Sequence, residues 1–299
     1  MQPGAGSREG AATGLSPPIS RAGRHRNGPD AVSSDSTSST GGWTESWQWV
    51  KKGTFGDARM IVQACLNGAR SRDYHPRLPV STEALVADGW AAVQAGAAEL
   101  HLHIRGPDGA ESLAPERVDA TITALRAHLP GTLLGISTGS WIEGDDDRRL
   151  AMIDGWRQLP NHASVNLKEP GATAVIERLH RLGVGVEAGL ASIADAERLL
   201  RLGLEGLCLR VLIEIEEQTL DKAMSIADGI LSVLARAELK KPILLHGFDA
   251  TVWPFVERAV RQRFSTRVGL EDGSSLPDGS VAPSNAELVR AAVQIASRQ

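Results

Sequence analysis

Two histidines separated by one residue are the first sign of chemistry in this chain. His101 and His103 stand in the run Glu99-Leu100-His101-Leu102-His103-Ile104. Such a run predicts a β-strand, whose successive side chains alternate between faces. Both imidazoles then share one face, while Leu100, Leu102 and Ile104 share the other. Two neutral imidazoles side by side begin a zinc site, which for catalysis takes about three protein ligands and keeps one position open. The spacing alone also describes a pair of surface or hydrogen-bonded histidines, so the surrounding elements decide its meaning.

Those elements are regular from Met60 onward. A short apolar run, a polar turn and a helical pattern recur. Strands are predicted over residues 60–65, 99–103, 133–137, 163–166, 185–188, 207–211, 243–245 and 266–269. Helices are predicted over 82–95, 115–129, 146–158, 172–181, 193–202, 219–236, 250–262 and 285–297. Ser284 with Glu287 reads as a capping box and Ser192 with Asp195 resembles one, Pro115 suits a first helical turn, and Gly96, Gly183 and Gly203 sit where helices should stop. Eight alternations predict an α/β fold, a (β/α)8 TIM barrel over residues 60–299. A doubly wound open sheet would need a glycine-rich turn after its first strand, and Asn67-Gly68-Ala69-Arg70 is no such fingerprint.

In a barrel, reacting groups come from the C-terminal ends of several strands. The eight ends offer, in order, Asn67 and Arg70; His101 and His103; Ser137 and Thr138; Asn166; Glu187; Arg210; His246; and Arg267, Glu271 and Asp272. A third zinc ligand could be Glu271, Glu187 or His246. The first, second and eighth strands adjoin in a closed barrel, which puts Glu271 on the correct side and Glu187 across from it. Arg267 and Asp272 flank Glu271 and could form a charge-assisted pair. A carboxylate held by an arginine stays ionised and oriented, as a general base requires.

Composition narrows the class. The chain has 299 residues, 42% hydrophobic and 23% charged, with a net charge of −4. That balance gives no reason to expect nucleic acid or an anionic membrane surface as partner, and no apolar run approaches the ~20 residues of a membrane span. Cys65 and Cys208 both lie in apolar runs and read as buried free thiols of a cytoplasmic protein. Residues 1–59 differ: nearly half are Gly, Ser, Thr or Pro, so a low-complexity, disordered extension is expected. They lack the apolar stretch of a secretory signal. Either this arm docks on a surface through Trp43, Trp47 and Trp49, or the true start is Met60.

Four motifs together resemble a known family. The His-Leu-His-Ile-Arg run, Ile136-Ser137-Thr138-Gly139, Arg267-x-Gly269-Leu270-Glu271-Asp272 and Ser284-Asn285-Ala286-Glu287-Leu288-Val289 are similar to the β-keto acid cleavage enzymes. The match runs in order from about Met60 to the C-terminus. The resemblance implies a zinc-dependent barrel acyltransferase that condenses a β-keto acid with acetyl-CoA, releasing acetoacetate and a new acyl-CoA by a retro-Claisen step. It implies His101, His103 and Glu271 as zinc ligands and Asp272 with Arg267 as the base dyad. Ser137, with Thr138 beside it, would meet the substrate carboxylate, and Asn166 and Glu187 would complete the site. It also implies a homo-oligomer.

Three positions depart from the family pattern. After Asn67, where the family often has a carboxylate, this chain has Arg70, which suits a keto diacid better than an amino-keto acid; pairing with Asp73 is the plainer role. The glycine-rich loop after the sixth strand is replaced by Arg210-Val211-Leu212-Ile213-Glu214, so Arg210 either receives an anion or pairs with Glu214. His246 stands where a small residue is expected. His25, His75, His128, His162 and His180 read as solvent or rim residues. Two other functions compete: a zinc hydrolase of the amidohydrolase type, which would place the histidine pair on the first strand, and a barrel that binds metal or ligand without turnover.

Overall fold

The computed structural model describes residues 60–298. The expected disordered extension over residues 1–59, with Trp43, Trp47 and Trp49, lies outside them, as does His25. Eight strands alternate with helices as the periodicity predicts: β1 Val62–Cys65, β2 Glu99–Leu102, β3 Leu133–Ser137, β4 His162–Asn166, β5 Gly185–Leu190, β6 Arg210–Ile215, β7 Ile243–Gly247 and β8 Thr266–Val268. All are parallel, in the order β7-β6-β5-β4-β3-β2-β1-β8. The remaining seam is drawn together where Ser265 N–H donates to Ile243 O at 3.0 Å and Leu245 N–H to Ser265 O at 2.9 Å. The fold is the expected TIM barrel.

Period-two alternation divides the strands between two environments. Ala64, Leu100, Leu102, Leu134, Ile136, Val186 and Val211 join one apolar cluster with helical residues such as Leu85, Ile122, Val175 and Phe255. Each such large side chain contributes about 2 kcal/mol by leaving water. The other face points into the barrel. Gln63 of β1 reaches Glu187 of β5 at 3.0 Å, four strands away, so these side chains fill the interior. Barrel interiors are usually packed with branched apolar residues. This one holds Gln63, Glu99, His162, Glu187 and Arg210 in its lower part, all buried.

Several boundaries differ from expectation for local reasons. The sixth strand begins at Arg210, because Glu205–Leu207 forms a 3₁₀ turn and the apolar run that actually pairs is Val211–Ile215. The helix expected over 146–158 ends at Asp154. A single extra turn, Ser140–Glu143, follows β3. Ser192 and Asp195 make the reciprocal capping box. Ser284 makes no side-chain cap, and the Glu287 side chain turns to Arg290, so neither half of the expected capping box forms. His128 and His180 are exposed, but His75 and His162 are buried rather than at the rim. His75 Nε2 lies 3.0 Å from Ala282 O, and His162 fits beside β3 because Gly135 opposite it has no side chain. No helix among the described residues is long and apolar enough to cross a membrane. Cys65 and Cys208 are free and buried, as expected.

Candidate metal centre and active site

His101 sits in β2, and His103 just beyond its end. Asn67 clamps the His103 main chain: its amide donates to His103 O at 2.8 Å and its carbonyl accepts from His103 N–H at 2.9 Å. Leu66 N–H donates to His101 O at 3.0 Å. Glu271 arrives from the segment after β8. A Cβ at Gly269 would overlap the Cys65 carbonyl, so only glycine lets this segment come so close to β1. Glu271 Oε2 then lies 3.8 Å from His101 Nε2, and its Oε1 3.7 Å from His103 Nε2.

These three residues fit a divalent metal. Two ligands ~2.1 Å from a tetrahedral ion stand about 3.4 Å apart, close to both separations. Glu271 Oε2 is buried without a hydrogen-bond partner, an acceptor that lacks a positive group. Burial lowers the His101 imidazole to about 3 and so keeps it neutral. Burial also acts to lower His103, but Glu271 and Glu111 outweigh it and raise the ring to about 9, so a metal would replace a proton there. Burial works against ionised Glu271, and Arg267 with the two imidazoles overcomes this and holds the carboxyl well below its usual range.

The expected contact between Arg267 and Asp272 is present. Arg267 Nε and Nη2 lie 3.3 and 3.1 Å from Asp272 Oδ1, and Nη2 also contacts Glu271. Asp272 Oδ2 is buried and unpartnered. His246 Nδ1 lies 3.3 Å from Asp272 Oδ1 without making a hydrogen bond, and the imidazole meets the Phe248 ring edge-on at 4.9 Å. Burial lowers the His246 imidazole. This histidine is therefore a neighbour of the dyad and not part of the His101–His103–Glu271 group.

A cavity of about 290 Å³ opens above these groups. His101, His103, Glu271, Arg267, Ser137, Asn166 and Arg70 line it. Other expected residues do not. Asn67 is consumed by the His103 clamp, and the Thr138 hydroxyl donates to Ser164 O at 2.7 Å. Asp272 lies fully buried behind Arg267. Arg210 is also elsewhere, because its strand starts three residues later than expected and places it at the lower end. It donates to Glu187 at 2.8 Å and contacts Glu99, and it does not pair with Glu214. Glu187 belongs to this same lower layer, and its unpartnered Oε2 approaches His101 Nδ1 at 3.9 Å.

Arg70 pairs with Asp249 at 2.8 Å rather than with Asp73, donates to Glu271 O at 3.0 Å and stacks over Tyr74. Two carboxylates at the site, one on the cavity wall and one behind His103, are not among the expected site residues. Glu214 lines the cavity, and burial raises its carboxyl to about 7 against the opposing pull of Arg267 and Lys168. Its period-two spacing from Arg210 was the available clue. Glu111, in an irregular loop, contacts His103 Nδ1, and no periodicity points to it.

A model of the beta-keto acid cleavage enzyme family matches residues 59–299. The 3-keto-5-aminohexanoate cleavage enzyme of Acetoanaerobium sticklandii is 30% identical over 96 residues, 32% of this chain and 35% of that protein. The 3-oxoadipate:acetyl-CoA acetyltransferase of Cupriavidus necator is 35% identical over 81 residues, 26% of this chain and 28% of that protein. The chain thus spans about a third of the length of these curated relatives. An apo structure of ObcA superposes with a TM-score of 0.58 at 20% identity, covering 73% of this chain and 61% of the other, a likeness of fold.

Proposed function

The chain belongs to the beta-keto acid cleavage enzyme family, and on that premise we propose that it is an acyltransferase condensing a β-keto acid with acetyl-CoA, giving acetoacetate and a new acyl-CoA. The observation that carries this reading is the His101–His103–Glu271 group and Arg267 on the wall of one cavity, with Asp272 paired to Arg267 behind it. His101, His103 and Glu271 would hold zinc, which when bound supplies Lewis acidity toward a developing oxyanion. Ser137 and Asn166 bind the keto acid carboxylate. Asp272, kept oriented by Arg267 behind the cavity wall, takes the proton from the carbon between the two carbonyls through a water. The resulting carbanion attacks the thioester carbonyl and expels the coenzyme A thiolate. That thiolate adds to the original ketone, the carbon–carbon bond breaks, and the acetoacetate carbanion recovers the proton from Asp272.

Substrate choice follows from Arg70. Its carboxylate partner Asp249 has a side chain 48% exposed, and such a pair is worth little in water. A substrate carboxylate can displace it, which favours keto diacids over amino-keto acids. The barrel over residues 60–299 is taken as the catalytic domain and residues 1–59 as a separate extension. A cytoplasmic homo-oligomer completes the proposal, with free Cys65 and Cys208 supporting a reducing compartment.

The test is a panel of β-keto acids incubated with acetyl-CoA, with and without a chelator. Acetoacetate release that needs both thioester and metal, and that is lost in His101→Ala, supports the reading. Hydrolysis without thioester, or no release across the panel, sinks it. A clear preference for amino-keto acids overturns the part assigned to Arg70, and light scattering decides the oligomer.

A further inference from the structure

The loop after β2 carries a carboxylate to which the proposed chemistry gives no part. Residues 104–112 fold back on themselves: Arg105 and Glu111 form an antiparallel bridge, Gly106 N–H donates to Ala110 O at 2.8 Å, and Ser112 N–H to Ile104 O at 2.9 Å. Arg105 fixes the base of this hairpin by donating to the carbonyls of Gly68 and Arg70, both at 2.7 Å. The hairpin delivers Glu111, its side chain 11% exposed, to the outer nitrogen of His103. One carboxylate oxygen meets His103 Nδ1, and the other accepts the Trp141 indole N–H at 2.9 Å. Trp141 lines the cavity and lies nearly parallel to the His103 ring, at 24° and 6.4 Å between centroids.

The geometry points to Glu111 as the positioning residue that fixes the ring and tautomer of His103 and ties both to the Trp141 wall of the cavity. This rests on the reading of His103 as a metal ligand. A neutral imidazole carries one N–H, and a carboxylate at Nδ1 draws the proton there. Nε2, 3.7 Å from Glu271 Oε1, is then left as the lone pair that a metal requires. The two histidines are held differently. His101 Nδ1 has no hydrogen-bond partner, and the Glu187 oxygen it faces lies 3.9 Å away. Removing Glu111 would free one ligand ring to turn and would also release the indole that stacks on it.

Zinc affinity of the whole chain, measured by competition with a chromophoric chelator, tests this in the wild type, Glu111→Ala, Glu111→Gln and His103→Ala. Nitrogen-15 spectra of the histidine rings in the metal-free protein report the tautomer directly. Glu111→Ala is expected to weaken zinc about 10- to 100-fold, as losses of such supporting carboxylates do. Glu111→Gln keeps an acceptor and the side-chain volume and should fall between. In the metal-free wild type, at a pH high enough to leave the ring neutral, His103 should show the Nδ1-protonated form, with a tautomer mixture and a shifted Trp141 indole N–H signal in Glu111→Ala. Zinc lost in His103→Ala but held within twofold in Glu111→Ala, with unchanged ring spectra, overturns the inference alone. Zinc retained in both variants overturns the ligand reading and the inference together.

Discussion

Gly68→Ala should damage the proposed metal centre without replacing any of its ligands. Gly68 has φ +56°, a left-handed backbone that alanine occupies at a cost of about 1–2 kcal/mol. A Cβ there would come within 3.0 Å of Glu271 Cβ and 3.1 Å of Cδ, and nearer still to Cγ. Carbon atoms settle at about 3.5–4.0 Å, so Glu271 would have to retreat by about 1 Å. Its oxygens now stand 3.7 and 3.8 Å from the two imidazole nitrogens, already slightly wider than a tetrahedral edge. A further ångström removes the carboxylate from the proposed ligand set, and losing even a supporting carboxylate costs about 10- to 100-fold in metal affinity. Chelator competition should therefore show zinc affinity about 100-fold weaker in Gly68→Ala, with circular dichroism unchanged and a fall in stability no larger than the backbone cost. Zinc affinity within twofold of wild type, at the reduced stability, would refute the reasoning, because the strain would then be present without displacement of Glu271.

Other expectations concern the rest of the barrel. Arg210→Met leaves Glu99 and Glu187 buried without their cation and should lower the unfolding free energy in urea by about 3–5 kcal/mol; unchanged stability would mean these carboxylates are not held as the structure has them. Burial raises Asp88 to about 6 although Asn285 donates to it at 2.5 Å. A carboxyl raised on folding contributes stability at low pH that is lost as pH rises through its folded value, here amounting to about 1.4 kcal/mol between pH 5 and 7.5. Asp88→Asn removes that loss, so its stability relative to wild type should increase over the same interval, and a pH-independent difference would contradict the assignment. Burial pushes Cys208 up to about 12 and raises Cys65 as well. An aromatic disulfide reagent should label neither thiol in the native protein and both in guanidinium, and rapid native labelling would rule out the burial.

What the sequence made legible was local. His101 and His103 are fixed to one face by a period of two, and Arg267, Glu271 and Asp272 are close enough in the chain to meet through one tight segment after β8. Helix limits followed the same logic, and the segment 172–181 agrees at both ends. Failures arose where distant partners decided the outcome. Arg210 was misplaced because the apolar run 207–209 looked like a strand start, whereas the pairing of Arg210 with Glu187 sets the true register. Its ionic partners, Glu99 and Glu187, come from β2 and β5, which no local pattern reveals. Glu111 lies in a hairpin built on backbone bonds. The reciprocal half of the box expected at Ser284 is lost because Arg290, one turn on, takes the Glu287 side chain.

Gly135 and His162 face each other across β3 and β4, and a Cβ at 135 would overlap the imidazole at Nε2. The pair imposes a direction on sequence change. A side chain gained first at 135 collides with a buried ring, while His162→Ala first leaves a void and removes one polar contact of Gln63, whose amide still meets Glu99 and Glu187. The void costs a few kcal/mol but keeps the strands in register. Drift at this point of the barrel therefore has one passable order: position 162 shrinks, and only then can position 135 grow.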